Sequence, residues 1–502
     1  MSEQEIFQYL NEIGCCNLCN LRHLGCTNKK FYINFELFLK EKNLNDKDDT
    51  EIEPNSKKLK ENVCIVCLGL LQNHFINELL EFIEKNTSVN EYDSTNFACA
   101  ISLPIAQQIR AHSVNLHLKE KFPEYYEQGN YKYVLLENIN EIPLKEVWKW
   151  VITPKINERL NKSLDNGANC DFLITLNLKY VDEEKELNLL FKVSPETFKE
   201  RNRNFKKFRG ETFTKKSVET FLEQVDKEKF KEHIQCPPQV PNFSINCSNI
   251  ECTHNSIYLA GRYMKYSREL SQTPWIINGK RMMEASVQEI ICAPLASLFN
   301  FHIDYIKFIS SGREDCDVRC LGNGRPFVLE IINPKKTKFA YEEFRKLESE
   351  INKSELIQVR DMQLVPKEDL IIIKQGEESK TKVYQALCIS QQQITQENLD
   401  KLSDMKDIVL QQKTPIRVLH RRPLAIRPRT IHYMNAQMIP GNSKMFTLDV
   451  ETQAGTYVKE FVHGDFGRTK PSLSSILGID VDIIALDVTA IKLDFPKPIE
   501  NS

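Results

Sequence analysis

Two groups of residues have types and spacings suited to chemistry. The first is a set of cysteines: "CCNLC" offers Cys16 and Cys19, and "CIVC" offers Cys64 and Cys67. Each C-x-x-C places two thiolates on one tight knuckle, and two knuckles make a tetrahedral four-sulfur zinc site. Cys15 competes for the first pair, but only Cys16 keeps the two-residue spacing to Cys19. The stretch from Cys19 to Cys64 exceeds the usual ~15–20 residues, because a polar insert, Glu41–Asn62, lies between. Buried, inert thiols are the plain alternative; two spaced pairs favour zinc. Four sulfur ligands leave no open coordination position, so the ion would be structural.

The second group is "SGREDCDVRCLGNGRPF", Ser311–Phe327, where Asp315 and Asp317 sit between Arg313 and Arg319. An apolar strand is expected before this turn and another after it. Loops at strand ends are favoured places for active sites. A carboxylate beside arginines is held in place and ionised, as suits a nucleophile. Taken alone, the stretch reads equally as a solvated loop with satisfied ion pairs.

Three further features could join it. Tyr384 lies in "KVYQALCIS", a probable-strand pattern in which a tyrosine is more often core than catalytic. Lys459 follows "AGTY" on an expected helix, where a lysine usually faces solvent. "KTPIRVLHRRPLAIRPRT" carries Arg417, Arg421, Arg422, Arg427 and Arg429 with no acidic residue. Arginines without counter-charge, interleaved with prolines and apolar residues, make a good phosphate-contacting loop.

The elements that must position these residues follow from periodicity. "FINELLEFIEK" and "VWKWVITPKINERL" repeat apolar residues at helical spacing; "FLITLNLKYV" and "LNLLFKV" are expected as strands. A stretch rich in Arg and Lys, Phe198–Lys216, follows, and then the proline- and asparagine-rich Cys236–Asn255. Beyond it, "HIDYIKFISS", "PFVLEIIN", "KVYQALCIS", "KMFTLDVETQA" and "DIIALDVTAIKLDF" are expected as strands among helices. The expected organisation is a zinc-binding segment over 1–70 with a mobile insert, an α+β accessory domain over 71–235, a linker over 236–255 and a catalytic domain over 256–502.

Composition narrows the class. The 502-residue chain carries a formal net charge of −2, so overall charge neither favours nor opposes a polyanionic partner and local clustering must decide. Its 15 cysteines are scattered and odd in number, which fits a reduced intracellular protein better than a disulfide framework. No apolar run reaches the ~18 residues of a membrane helix, and "MSEQEIFQYLNEIG" lacks the basic and apolar regions of a secretory signal. No GxGxxG phosphate fingerprint is present, so no organic cofactor is expected.

The chain resembles the pseudouridine synthase 10 family, archaeal and eukaryotic enzymes that act on uridines of the tRNA T loop. The residues that carry the resemblance are "AGRYMKYSRELSQTPWIINGKR", "SGREDCDVRCLGNGRPFVLEIINPKK", "TKVYQAL", "LHRRPLAIRPR" and "AGTYVKEFVHGDFGRTKPSL", in family order through the C-terminal half. The N-terminal half matches more loosely, through the paired C-x-x-C and "LGLLQ" (Leu68–Gln72).

The resemblance implies a mixed, mainly antiparallel sheet flanked by helices, preceded by a zinc-binding, THUMP-like α+β accessory domain. It implies an isomerase converting uridine to pseudouridine at tRNA position 55, alone or together with 54, with Asp315 matching the catalytic aspartate of a "GR-x-D" turn. Tyr384 would stack on the target base, Lys459 would pair with Asp315, and Leu473 or Ile476 would line the base pocket. Arg313 would fill the space the base vacates or hold a phosphate. The Arg417–Arg429 loop and the accessory domain would bind the T arm. Asp317 and Arg319 are expected as a supporting pair within the turn. A monomer in the nucleus, the cytoplasm or both is expected, with no membrane partner. A non-catalytic RNA-binding protein on the same scaffold is the alternative, and retention of Asp315 weighs against it. A zinc-dependent hydrolase is disfavoured, because paired cysteines leave no open metal position.

Overall fold

A computed structural model describes residues 3–42, 62–127, 142–165, 170–198 and 212–499. Most of the polar insert (43–61) and of the Arg/Lys-rich stretch (199–211) lies outside the described residues. The chain divides into two compact units, Met1–Thr253 and His254–Ser502.

The N-terminal unit holds strands β1 (Asn96–Ser102), β2 (Ser163–Leu164), β3 (Phe172–Lys179) and β4 (Asn246–His254) in the order β2-β1-β3-β4. β1 runs parallel to both β2 and β3. Alternation along β3 buries Phe172, Ile174, Leu176 and Leu178 on one face. The helix Asn73–Lys85 buries Phe75, Ile76, Leu79, Leu80 and Ile83, the three-and-four spacing of a core-facing stripe. The helix Leu144–Leu160 buries Val147, Trp148, Ile152 and Ile156.

Three expectations change here. Residues 1–70 are no separate segment, because Ile6, Cys19, Val66, Leu79, Trp148, Ile174 and Ile250 belong to one buried cluster. The stretch 236–255 is not simply a linker, since most of its second half forms β4 of the N-terminal sheet. "LNLLFKV" is helical rather than extended: Leu190–Val193 is a helical turn, with Leu187, Leu190 and Val193 buried at three-residue spacing.

The C-terminal unit is built on a ten-stranded sheet. Its main strands are β5 (Ile257–Lys265), β8 (Ile306–Ser310), β9 (Arg319–Ile331), β10 (Ile357–Val365), β11 (Lys382–Ser390), β12 (Ile408–Lys413), β13 (Ile426–Met438), β14 (Met445–Thr452), β15 (Thr469–Lys470) and β16 (Val481–Ile491). The order is β10-β5-β9-β16-β11-β14-β13-β12-β15, with β8 paired to β9. A short hairpin, β6 (Ile276–Ile277) and β7 (Lys280–Arg281), stands apart. Among the described residues, the strand pairs of the large sheet run antiparallel except β9 with β16.

Both faces of this sheet are covered. On β9, Phe327 and Leu329 enter one core while Val328 enters the other, and on β5 Leu259 and Ala260 divide the same way. Strands buried on both sides read as continuous apolar runs, as "RPFVLEII" does. The helices Val287–Phe299 and Tyr341–Ile351 contribute to one core, and Val458–His463 and Leu473–Leu477 to the other. Among the described residues no helix is long and apolar enough to cross a membrane.

Candidate active site and metal centre

The turn between β8 and β9 spans Ser311–Val318 and carries Asp315. Gly312 opens it with φ +83°, and a Cβ there would come 3.0 Å from Lys382 Nζ and 3.3 Å from Arg325. Conformation and space both demand glycine at this position.

Beneath the turn is a buried polar cage that sequence reasoning missed. Arg325 Nε donates to Glu314 Oε2 at 2.8 Å, and each side chain is only 1% exposed. The same guanidinium donates to Ser311 O at 2.7 Å. Tyr263 donates its hydroxyl to Glu314 at 2.9 Å, and Gln272 Nε2 donates to Tyr263 and to Gly312 O at 2.8 and 2.9 Å. Lys265, 0% exposed, donates to the carbonyls of Leu270, Asp315 and Cys316 at 2.7, 3.1 and 2.8 Å. Burial pushes the Lys265 ammonium below its usual value, offset in part by Glu314. A lysine ending a run of buried strand residues was the available signal. The cage fixes the backbone on both sides of Asp315, so that carboxylate leaves a rigid support.

Removing one member of the cage should be costly. Arg325→Met leaves the Glu314 carboxylate buried without its countercharge, and should destabilise the C-terminal unit by about 3–5 kcal/mol. Adding Glu314→Gln should recover most of that loss, because the uncompensated charge is gone. Denaturant unfolding of the two variants checks this.

Asp315 has the expected partner, Lys459, and a second that the sequence did not name. Its Oδ2 accepts from Arg417 Nη1 at 2.9 Å, across a separation of 102 residues. Lys459, expected as its partner, lies 3.7 Å from Asp315 but 2.6 Å from Asp317. Lys459 thus bridges the two carboxylates and sits nearer Asp317. The Asp317 carboxyl sits below its usual value; burial opposes this, but the hydrogen bond from Lys459 prevails. Arg417, expected only as an RNA contact, also donates to Glu460 at 2.6 Å and lies 5.9 Å from the Tyr457 ring centre.

The expected Asp317–Arg319 pair is also replaced. Arg319 donates to Asp487 through Nε and Nη2 at 3.0 and 2.5 Å. These residues are register partners on adjacent parallel strands, β9 and β16. Arg268 donates to the other side of the same cluster, reaching Asp487 at 2.7 Å and the carbonyl of Asp317 at 3.0 Å.

Tyr384 is half-buried on β11, opposite Val450 and Val488. Burial pushes its hydroxyl up to about 12, with Arg325, Cys320, Glu314 and Asp315 all near enough to act on it. The phenol is therefore neutral near pH 7 and can offer a ring face. Leu473 is fully buried in the core, whereas Ile476 is half-buried against it. Arg313, Arg421 and Arg422 are exposed, and their side chains have no hydrogen-bond or ion-pair partner among the described residues. Arg427 donates to Thr414 Oγ1 at 3.2 Å and Arg429 to Pro428 O at 2.7 Å.

In the N-terminal unit, Cys16, Cys19, Cys64 and Cys67 gather with all four sulfurs within 4.8 Å of one another. Cys15 stands outside this group. Cys16 caps the helix Asn17–His23, whose first turn carries Cys19, while Leu68 and Gly69 turn the second knuckle with φ +54° and +89°. The Cys16 and Cys67 sulfurs are 3.8 Å apart, matching the ~3.8 Å edge of a tetrahedron built on Zn–S bonds of ~2.3 Å. Burial pushes the Cys19 thiol up. Cys64 is also buried, yet hydrogen bonds from Cys16, Cys19 and Cys67 bring it well below the usual thiol value. Sulfurs this close can all be ionised only around a cation. The Cys16 N–H and Arg22 Nη1 add donors to Cys64 and Cys19 at 3.3 and 3.6 Å. The donor set fits zinc.

Both units match one class of protein, the pseudouridine synthases. Residues 258–492 match the family model "Pus10, C-terminal", and residues 64–252 match "Eukaryotic Pus10, N-terminal". The tRNA pseudouridine synthase Pus10 of Homo sapiens is 38% identical over 447 residues, covering 89% of this chain and 81% of that protein. The archaeal counterpart of Thermofilum pendens is 37% identical over 252 residues, covering 49% of this chain and 55% of that protein. The chain belongs to the Pus10 family. Among solved structures, an archaeal box H/ACA sRNP Nop10-Cbf5 complex aligns over 46% of this chain and 47% of that one, with TM-score 0.23 and 15% identity, too distant to bear on the fold.

Proposed function

We propose that this protein isomerises uridine to pseudouridine in the T loop of tRNA, at position 55, alone or together with 54, with Asp315 as the catalytic carboxylate. One observation carries the reading. Asp315 projects from a caged turn toward Arg417 and Lys459, with Tyr384 nearby, and exposed arginines line the loop beyond. The Pus10 relatives named as tRNA pseudouridine synthases supply the reaction class.

In this reading the target uridine leaves its stack and enters beside Asp315. The Tyr384 ring stacks on the base, and Ile476, rather than the fully buried Leu473, lines the pocket. Asp315 acts on the ribose, by attack at C1′ or by proton removal at C2′. The N-glycosidic bond breaks, the base turns, C5 bonds to C1′ and gives up its proton, and N1 gains one, so the isomerisation balances with no redox cofactor. Arg417 and Lys459 hold the carboxylate in its orientation, and Lys459 shares itself with Asp317. Arg313, exposed beside the aspartate, fills the vacated position in the RNA or holds a phosphate. Arg421, Arg422, Arg427 and Arg429 contact phosphates of the T arm, which is recognised by shape. The N-terminal unit, THUMP-like in role, binds RNA and carries a structural zinc on Cys16, Cys19, Cys64 and Cys67. The protein acts as a monomer, in the nucleus, the cytoplasm or both.

Incubating the full chain with unmodified tRNA transcript and mapping pseudouridine tests this. Product is expected in the T loop. Tight tRNA binding with no product anywhere would instead support the non-catalytic RNA-binding reading.

A further inference from the structure

Phe466 stands at the tip of the turn that follows the Lys459 helix, and its side chain is 95% exposed. A single exposed aromatic is unremarkable by itself. Its backbone is not: Phe466 has φ +53° and ψ +41°, and Asp465 before it has φ +47°. For a bulky side chain the left-handed region is an outlier, and no packing within the unit compensates a ring that lies almost wholly in water.

The turn is held firmly in this shape. Thr469 N donates to Gly464 O at 3.1 Å, Arg468 N to Asp465 O at 3.1 Å, and Asp465 N to His463 Nδ1 at 3.1 Å. A Cβ on Gly464 would lie 3.0 Å from Ser472 Oγ, so that position too requires glycine. The turn is also tied to the arginine loop. Arg468 donates to Thr414 O at 2.6 and 3.3 Å, Lys413 N donates to Arg468 O at 2.9 Å, and Ile416 N donates to Asp465 Oδ2 at 3.3 Å. Ile416 precedes Arg417, whose guanidinium holds Asp315. An outward-facing aromatic ring thus stands on a turn hydrogen-bonded to the loop that carries Arg417, Arg421 and Arg422.

An exposed ring on a turn bonded to an arginine-rich loop suits a ligand with both a π-face and phosphates. We propose that Phe466 is a base-stacking residue, taking an unstacked nucleobase of the tRNA beside the one that enters the Asp315 cleft. This rests on the reading of tRNA as substrate. The left-handed turn points the ring away from the protein core and toward the RNA, and the arginines hold the flanking phosphates.

The test measures tRNA affinity, its salt dependence and thermal stability for the full chain. Phe466→Ala should weaken binding of unmodified tRNA about ten-fold, within the range of one lost base–aromatic stack. Its salt slope should stay that of wild type, because no phosphate contact is lost, whereas Arg421→Ala should make the slope shallower. Phe466→Trp should restore affinity. Phe466→Gly relieves the backbone strain, so it should melt no lower than wild type while binding as weakly as Phe466→Ala. Wild-type affinity in Phe466→Ala would overturn the proposal, as would a fall in melting temperature for Phe466→Gly matching its loss of affinity. If wild type binds tRNA but forms no pseudouridine, the catalytic reading fails and the affinity of Phe466→Ala still decides this one.

Discussion

Asp315→Asn should lower pseudouridine formation by about four orders of magnitude or more while leaving tRNA affinity within a few-fold of wild type. The substitution keeps the shape of the side chain and removes its charge and basicity. Arg417 retains Glu460 at 2.6 Å and Lys459 retains Asp317 at 2.6 Å, so neither cation is left without a counterion. The buried Glu314–Arg325 pair and the Lys265 contacts to the turn backbone are untouched, so the turn should stay in place. Asp317→Asn is the matched control. It removes the closest partner of Lys459, which then has only Asp315, 3.7 Å away, and activity should fall by no more than about ten-fold, the scale of one exposed ion pair. Single-turnover assays with pseudouridine mapping separate the two. Product at near wild-type rate from Asp315→Asn would end the assignment of this carboxylate as catalyst.

Cys16→Ser should release the metal and unfold much of the N-terminal unit. Structural zinc in small domains contributes apparent binding free energies of ~10–16 kcal/mol, and here three of the four cysteines lie inside the main core of the unit, with Cys16 packed against it. Cys19, Cys64 and Cys67 are buried and belong to the same cluster as Trp148 and Ile174. Losing one ligand leaves three crowded, buried thiols with no cation to balance them. Metal analysis of wild type should give about one zinc per chain, and Cys16→Ser should give none, with early loss of N-terminal structure on heating. Cys15→Ser, outside the four-sulfur group, should keep both metal and fold. A zinc content well below one in wild type, unchanged in Cys16→Ser, would remove the zinc assignment.

The sequence by itself determined what short-range geometry encodes. The spacing of Cys16 to Cys19 and Cys64 to Cys67 paired the thiols within each knuckle, because two residues of separation suffice to turn both sulfurs the same way. The stretch around Asp315 was expected as a turn between two strands, and it is one, with Gly312 at φ +83°. Apolar runs and helical stripes outlined five strands of the C-terminal sheet (β8, β9, β11, β14 and β16) and the helix Asn73–Lys85, but not β5, β10, β12, β13 or β15. Family motifs in order along the chain pointed to one enzyme class. Tertiary structure alone decided which charge meets which. Arg417 reaches Asp315 across 102 residues and Lys459 reaches Asp317 across 142. Asp487 takes Arg319 from the adjacent parallel strand, 168 residues earlier. Nothing local in the sequence carries these distances; they follow from the order in which the strands pair. The cage of Glu314, Arg325, Tyr263, Gln272 and Lys265 escaped for the same reason. Its members look like ordinary polar residues until the sheet buries them together, and burial is what turns a hydrogen bond into an obligation. Phe466 is the converse case, a residue that looks like core in the sequence and that a left-handed turn holds out in water.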